Sequence, residues 1–132
     1  MDYRLLCVIA FACWGGWGFV SKLATRSSSP PALALWATVA SLVPIAAFAF
    51  TVGRTELRPT PLIALAGLLA GFATLAFYLA LARGPASVVV PLTGMYILVP
   101  ALLGIVLLHE PATLTRLLGM ASAALAVFLL SR

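Results

Sequence analysis

Charge is what this sequence has least of. Only 8% of its 132 residues are Asp, Glu, Lys or Arg, against roughly 25% in soluble globular domains. A chain so poor in charge has no means of covering a water-facing surface, which excludes a soluble domain. Carboxylates are scarcer still. Asp2, Glu56 and Glu110 are the three acidic residues, and each stands at the end of an apolar run. A carboxylate-driven proton relay within the membrane therefore lacks its carrier, which favours facilitated diffusion or exchange. The sequence has one histidine, His109, and two cysteines. It contains no P-loop, no GxSxG, no HExxH, and no cluster of Cys, His and carboxylates suited to a metal. An enzyme, a cofactor and a bound metal are all unexpected. Cys7 and Cys13 lie in one apolar run, ~9 Å apart along a helix, too far for a disulfide between them.

What fills the space left by charge is hydrocarbon. Hydrophobic residues make up 64% of the chain and the mean hydropathy is +1.17. They fall into five runs, about Arg4–Ala24, Pro31–Val52, Pro61–Ala82, Ala86–Leu108 and Thr113–Ser131. Each approaches the ~20 residues that a helix needs to cross a bilayer. The breaks carry helix punctuation, with Pro30-Pro31, Pro59, Pro85 and Pro111 each placed where a new helix can begin. The first run has only Arg4 as a basic start, offset by Asp2, and no small-residue cleavage site before Trp14. It is expected to be kept as a helix rather than removed as a signal peptide. Too few residues remain between the runs for another domain. The expectation is one domain, residues 1–132, an all-α membrane protein of five transmembrane helices.

The eight basic residues are scattered singly at run ends, which suits anionic headgroups rather than nucleic acid. Five passes put the termini on opposite sides. Arg4, Arg54, Arg58 and Arg116 then share one side, and Lys22, Arg26, Arg83 and Arg132 share the other. Four against four gives the positive-inside rule nothing to act on. A chain that inserts both ways round would carry this balance, and dual topology is the expectation.

Several residues stand out inside the runs. Gly67 and Gly71 form a GxxxG, and Gly119 with Ala123 a small-xxx-small pair, spacings that let helices approach closely in lipid. On a helical wheel Trp14, Trp17, Gly18, Ser21 and Thr25 share a face of the first helix, with Lys22 at its edge. Lys22 has two readings: it snorkels to the interface, or it faces a cavity and binds an anionic or carbonyl-bearing solute. Gly67, Gly71, Thr74 and Tyr78 align on the third helix, so its close-packing face is also its polar face. Thr93, Tyr96 and Pro100 align on the fourth. Pro91 and Pro100 lie inside that helix and should kink it. Trp36 is a further aromatic that could line a path. For each of these, core packing explains the pattern as well as ligand binding does. Glu110 is expected beside the N-terminus of the fifth helix, where the dipole favours a negative charge, with Thr113 as an N-cap. A lone His109 is weak ground for metal or proton transfer.

The stretch RGPASVVVPLTGMYILVPALLGIVLLHEPATLTRLLGMASAALAVFLLSR, Arg83 to Arg132, resembles the second part of an EamA-type domain of the drug/metabolite transporter superfamily. The likeness lies in a Pro-Ala-Ser start, prolines inside the fourth helix, an acidic residue closing it and a Gly opening the fifth. CWGGWGFVSKLA in the first helix resembles the family's Trp-Gly…Lys opening. Most such transporters carry two five-helix units, inverted relative to each other, so this chain resembles half of a ten-helix inverted-repeat architecture. The resemblance implies an antiparallel homodimer, or pairing with an oppositely inserted relative. The related small multidrug resistance proteins have four helices and a membrane-embedded Glu in the first. Ala10 to Phe19 contains none here, which argues against proton-coupled cation export of that kind.

These features give a multi-pass transporter of the cell membrane, by resemblance the bacterial inner membrane. It would move a small metabolite or drug-like solute by alternating access as an antiparallel dimer. Its candidate substrate-binding residues are Trp14, Trp17, Ser21, Lys22, Thr74, Tyr78, Thr93 and Tyr96. Two other readings stand beside it: a subunit of a lipid-linked sugar or lipid flippase, and a membrane assembly protein that transports nothing.

Overall fold

The computed structural model describes residues 2–52 and 60–130. Arg54, Glu56, Arg58 and Arg132, which enter the charge balance and the carboxylate count, lie outside the described residues, as does Ser131.

The first helix, α1 (Tyr3–Ala24), starts at Asp2, whose carboxylate accepts from the Arg4 N–H at 3.1 Å and caps the open first turn. α2 (Pro30–Val52) and α3 (Pro61–Arg83) both begin at prolines, where the missing N–H costs no ladder bond. α2 also carries Pro44 in its interior. Its hydroxyls turn back onto their own helix: Thr38 donates to the Ala34 carbonyl at 2.7 Å and Ser41 to that of Thr38 at 2.7 Å. Back-bonding of this kind satisfies a polar group without a partner from outside, which lets α2 face hydrocarbon. Phe50, 87% exposed in the bare chain, is one of many large apolar side chains that only a lipid surrounding would cover.

The fourth apolar run does not form the single helix that its length suggests. It is divided into α4 (Ala86–Gly94), a 3-10 turn (Met95–Ile97) and α5 (Leu98–Leu107). The cause is the pair of prolines. Pro91 and Pro100 each remove one i→i−4 bond, leaving the Ser87 and Tyr96 carbonyls without their ladder donors, and the tighter turn falls between them. Thr93 supports the same region, donating to the Val89 and Val90 carbonyls at 2.8 and 3.0 Å. The interior prolines thus coincide with a break in helix type.

After α5 the chain reverses sharply. His109 takes φ 55°, a left-handed conformation that costs a non-glycine residue roughly 1–2 kcal/mol. The reversal brings the Glu110 N–H to the Gly104 carbonyl at 3.1 Å, which also accepts from Leu108 at 3.2 Å. The final helix, α6 (Leu114–Leu130), is capped by Thr113, whose hydroxyl accepts from the Arg116 N–H at 3.3 Å. Thr113 is the cap that the sequence suggests. Because glycine has no Cβ to strain, His109→Gly should raise stability by about 0.5–1 kcal/mol once its larger unfolded-state entropy is counted. A thermal melt of the purified protein in mild detergent checks the sign.

The protein is therefore all-helical over the described residues. Four apolar passes are long enough to cross a membrane (residues 3–24, 30–51, 61–83 and 86–107), and a shorter fifth helix has 17 residues. Seventeen lies at the short limit for a spanning helix. The helices cluster into two compact units, residues 1–83 and 84–132. In the first, α3 packs against both α2 and α1. In the second, α6 packs back against α4 and the 3-10 turn.

Candidate functional site

The polar and aromatic residues of the first unit meet where α1 and α3 approach. Their paired positions advance together along both helices, Trp17 with Phe77, Ser21 with Tyr78 and Lys22 with Leu81, as two parallel passes require. Trp17 and Phe77 stack with centroids 4.8 Å apart, and Tyr78 meets both edge-on, at 6.0 and 5.9 Å. Such pairs contribute about 0.5–1.5 kcal/mol each beyond the area they bury. The Tyr78 and Ser21 hydroxyls lie 3.3 Å apart and form a buried hydrogen bond. Tyr78 is 2% exposed and Ser21 4%, so in hydrocarbon each hydroxyl supplies the other's partner. Gly18, one turn before Ser21, is also buried.

Lys22 closes the cluster. Its ammonium donates to the Leu81 carbonyl at 2.6 Å. That carbonyl is among the last four of α3, which have no acceptor role left inside their own helix. A cation there also meets the negative end of the helix dipole. Thr25 then donates to the Lys22 carbonyl at 2.8 Å. Lys22 is thus partly buried at a helix C-terminus, with its ammonium held by a backbone carbonyl.

Of the eight candidate residues, the structure brings Trp17, Ser21, Lys22 and Tyr78 into one cluster. Thr74 lies one turn before Tyr78 and is half-buried. Trp14 is exposed, at 64%, and Trp36 likewise at 67%. Thr93 and Tyr96 belong to the second unit. Tyr96 lies within the 3-10 turn and is 58% exposed, while the Thr93 hydroxyl is engaged by its own helix.

The GxxxG of α3 behaves differently from its expected role. No atom lies within 4 Å of where a Cβ would sit on Gly67 or Gly71, so no helix of the described structure uses the close approach they permit. They line a shallow apolar groove with Leu68, Phe72 and Leu75. The face that carries Gly67, Gly71, Thr74 and Tyr78 is continuous on the wheel, but it is covered only at its C-terminal end.

Sequence reasoning missed Phe77 and Gly104. Phe77 flanks Tyr78 and lies outside the polar stripe, so a search for hydroxyls passes it by. Gly104 has a legible signal: a glycine six residues before a run-closing acid. Its absent side chain makes room for Glu110, whose carboxyl carbon would lie 3.3 Å from a Cβ there. Glu110 in turn lies 3.8 Å from Arg116, which donates to the Pro111 carbonyl at 2.9 Å. Glu110 therefore packs on the end of α5 and pairs with the first turn of α6. Among the described residues there is no group of three His, Cys, Asp or Glu placed to hold a metal.

The sequence model of the EamA-like transporter family matches residues 3–132. No curated protein and no solved structure matches the chain.

Proposed function

The chain belongs to the EamA-like transporter family, and on that premise we propose that it moves a small metabolite or drug-like solute across the bacterial inner membrane as an antiparallel homodimer. The family match over essentially the whole chain carries the reading. A multi-pass membrane protein of this family has the bilayer as its solvent and a small molecule as its substrate. Five is an odd number of passes, so two copies inserted in opposite senses reproduce an inverted repeat, a common basis of alternating access. The balance of four basic residues on each side favours such insertion.

One domain of five helices, residues 1–132, would form each half of the transporter. The solute path would lie at the dimer interface, with the candidate residues of the first, third and fourth passes as its lining. The first unit offers Trp14, Trp17, Lys22 and Thr74, with Ser21 and Tyr78 behind them holding Trp17 in place. The second offers Thr93 and Tyr96. Two observations support this division. Trp14 and Tyr96 are exposed, whereas Tyr78 and Ser21 are buried. The break between Pro91 and Pro100 supplies the moving part, because a pass interrupted by a 3-10 turn bends there at lower cost than a continuous helix. No acidic residue lies within a described helix, so transport would proceed by facilitated diffusion or exchange.

Counterflow into proteoliposomes tests the reading. Vesicles carrying the purified protein and preloaded with a mixed panel of small metabolites and organic cations should accumulate at least one labelled member of the panel. Trp14→Ala and Tyr96→Ala, both at exposed positions, should lower that flux severalfold with no loss of folded protein. Failure to move or bind any panel solute would overturn the transporter reading and favour an assembly role. Flux of lipid-linked sugars alone would favour a flippase subunit.

A further inference from the structure

The second unit contains a groove that the transport reading does not use. It has a volume of about 380 Å³ and runs between α5 and α6. That volume falls in the lower part of the range that small-molecule sites occupy. Its walls change character with depth. At one end stand Glu110 and Arg116, in the α5–α6 connection and the first turn of α6. Ile97, Ala101 and Ile105 line it from the fourth pass, and Gly119 and Ala123 from α6. From residue 105 to residue 97 is ~12 Å of helix at 1.5 Å per residue. The groove is therefore charged where the helices end and wholly apolar ~12 Å further in.

Small residues hollow it out. No atom comes within 4 Å of a Cβ placed on Gly119, so that side of the groove is open rather than filled by a neighbour. The charged end is open in another sense. The Arg116 and Glu110 groups are 3.8 Å apart, longer than the 2.7–2.9 Å of a charge-assisted hydrogen bond. Their side chains are 51% and 54% exposed. Each is nonetheless held in position. Arg116 donates to the Pro111 carbonyl, and the Glu110 backbone is tied to Gly104. A cation and an anion held side by side in a long, half-exposed ion pair present two complementary charges to an incoming group.

A ligand matching this surface has a phosphate-like anion and an ammonium a few ångströms apart, joined to a hydrocarbon chain. We propose that the α5–α6 groove binds one molecule of a zwitterionic phospholipid, its phosphate on Arg116, its ammonium on Glu110 and one acyl chain along Ile105, Ala101, Gly119 and Ala123. The polarity gradient fixes the orientation, since helix ends lie at headgroup level and the apolar stretch lies in the hydrocarbon. Charge complementarity fixes the headgroup. A purely anionic lipid would meet Arg116 but be repelled by Glu110. The site does not depend on which solute the protein moves, nor on whether it moves one.

Native mass spectrometry of the full chain tests this. Protein stripped of lipid in detergent is titrated with phosphatidylethanolamine and, separately, with phosphatidylglycerol of the same chain length. The wild type should bind one phosphatidylethanolamine roughly fivefold more tightly than phosphatidylglycerol, the scale expected of one added favourable charge contact at the headgroup level. Glu110→Gln should reverse that preference, because Arg116 then acts alone. The reversal is a ratio measured on folded protein, so loss of stability cannot imitate it. Arg116→Gln should weaken both lipids severalfold, and Ala123→Phe should do so with both charges intact. Equal binding of the two headgroups by the wild type would mean annular lipid only and overturn the site. So would wild-type binding by both Arg116→Gln and Ala123→Phe, or a dimer that holds no lipid.

Discussion

Tyr78→Ala should be the most damaging single substitution in the first unit, lowering stability by about 2–4 kcal/mol. In water, truncation of a large buried aromatic costs roughly 3–5 kcal/mol, through lost transfer energy and the cavity left behind. In a membrane the transfer part shrinks, because the unfolded reference is already in hydrocarbon. The packing part remains. Tyr78 is 2% exposed and meets the rings of both Trp17 and Phe77, so its removal empties the centre of the α1–α3 contact. The Ser21 hydroxyl also loses its partner. Tyr78→Phe separates the two contributions. It keeps the ring and removes the bond, which within a membrane protein is worth about 0.6 kcal/mol on average. Thermal melts in detergent should show a large shift for Ala and a small one for Phe. Comparable shifts would mean that the hydrogen bond, not ring packing, joins the helices.

Lys22→Met should have the second largest effect. Methionine keeps most of the stem and deletes the ammonium that reaches the Leu81 carbonyl at 2.6 Å. Hydrogen bonds to charged groups contribute about 1.5–3 kcal/mol, and an orphaned carbonyl at the end of α3 finds few donors in lipid. The expected loss is of that order. Lys22→Gln, which retains a neutral donor on a shorter stem, should recover part of it. The same pair of variants bears on transport. If Lys22 acts only by fixing the end of α3, flux per folded molecule should be unchanged in Lys22→Gln. If Lys22 also meets the solute, Lys22→Gln should raise the concentration needed for half-maximal flux in addition to its partial loss of stability.

How much of this was legible beforehand depends on what kind of partner each residue has. The five passes follow from hydropathy, which needs no knowledge of neighbours. The break in the fourth pass follows from Pro91 and Pro100, because a missing N–H acts within its own helix. Thr113 was legible as a cap for the same local reason. Lys22 was not, since its acceptor is a backbone carbonyl 59 residues away, and carbonyls carry no residue identity to search for. The helical wheel placed Gly67, Gly71, Thr74 and Tyr78 on one face, which periodicity alone can do. It gave no information on how far along that face another helix lies, and the structure covers only the Tyr78 end. Glu110 shows the same limit. Its place beside α6 followed from the dipole, but its seat on Gly104 needed the left-handed His109 that turns the chain back.

The proposed transport cycle needs two copies inserted in opposite senses, and the orientation of the chain in intact cells tests that directly. With Cys7 and Cys13 replaced by Ala and one cysteine added after Arg132, a membrane-impermeant thiol reagent is applied to each side in turn. Near-equal labelling from both sides is the expected result, because equal numbers of basic residues leave neither orientation favoured. Labelling from one side alone would contradict the antiparallel homodimer and require an oppositely inserted partner chain.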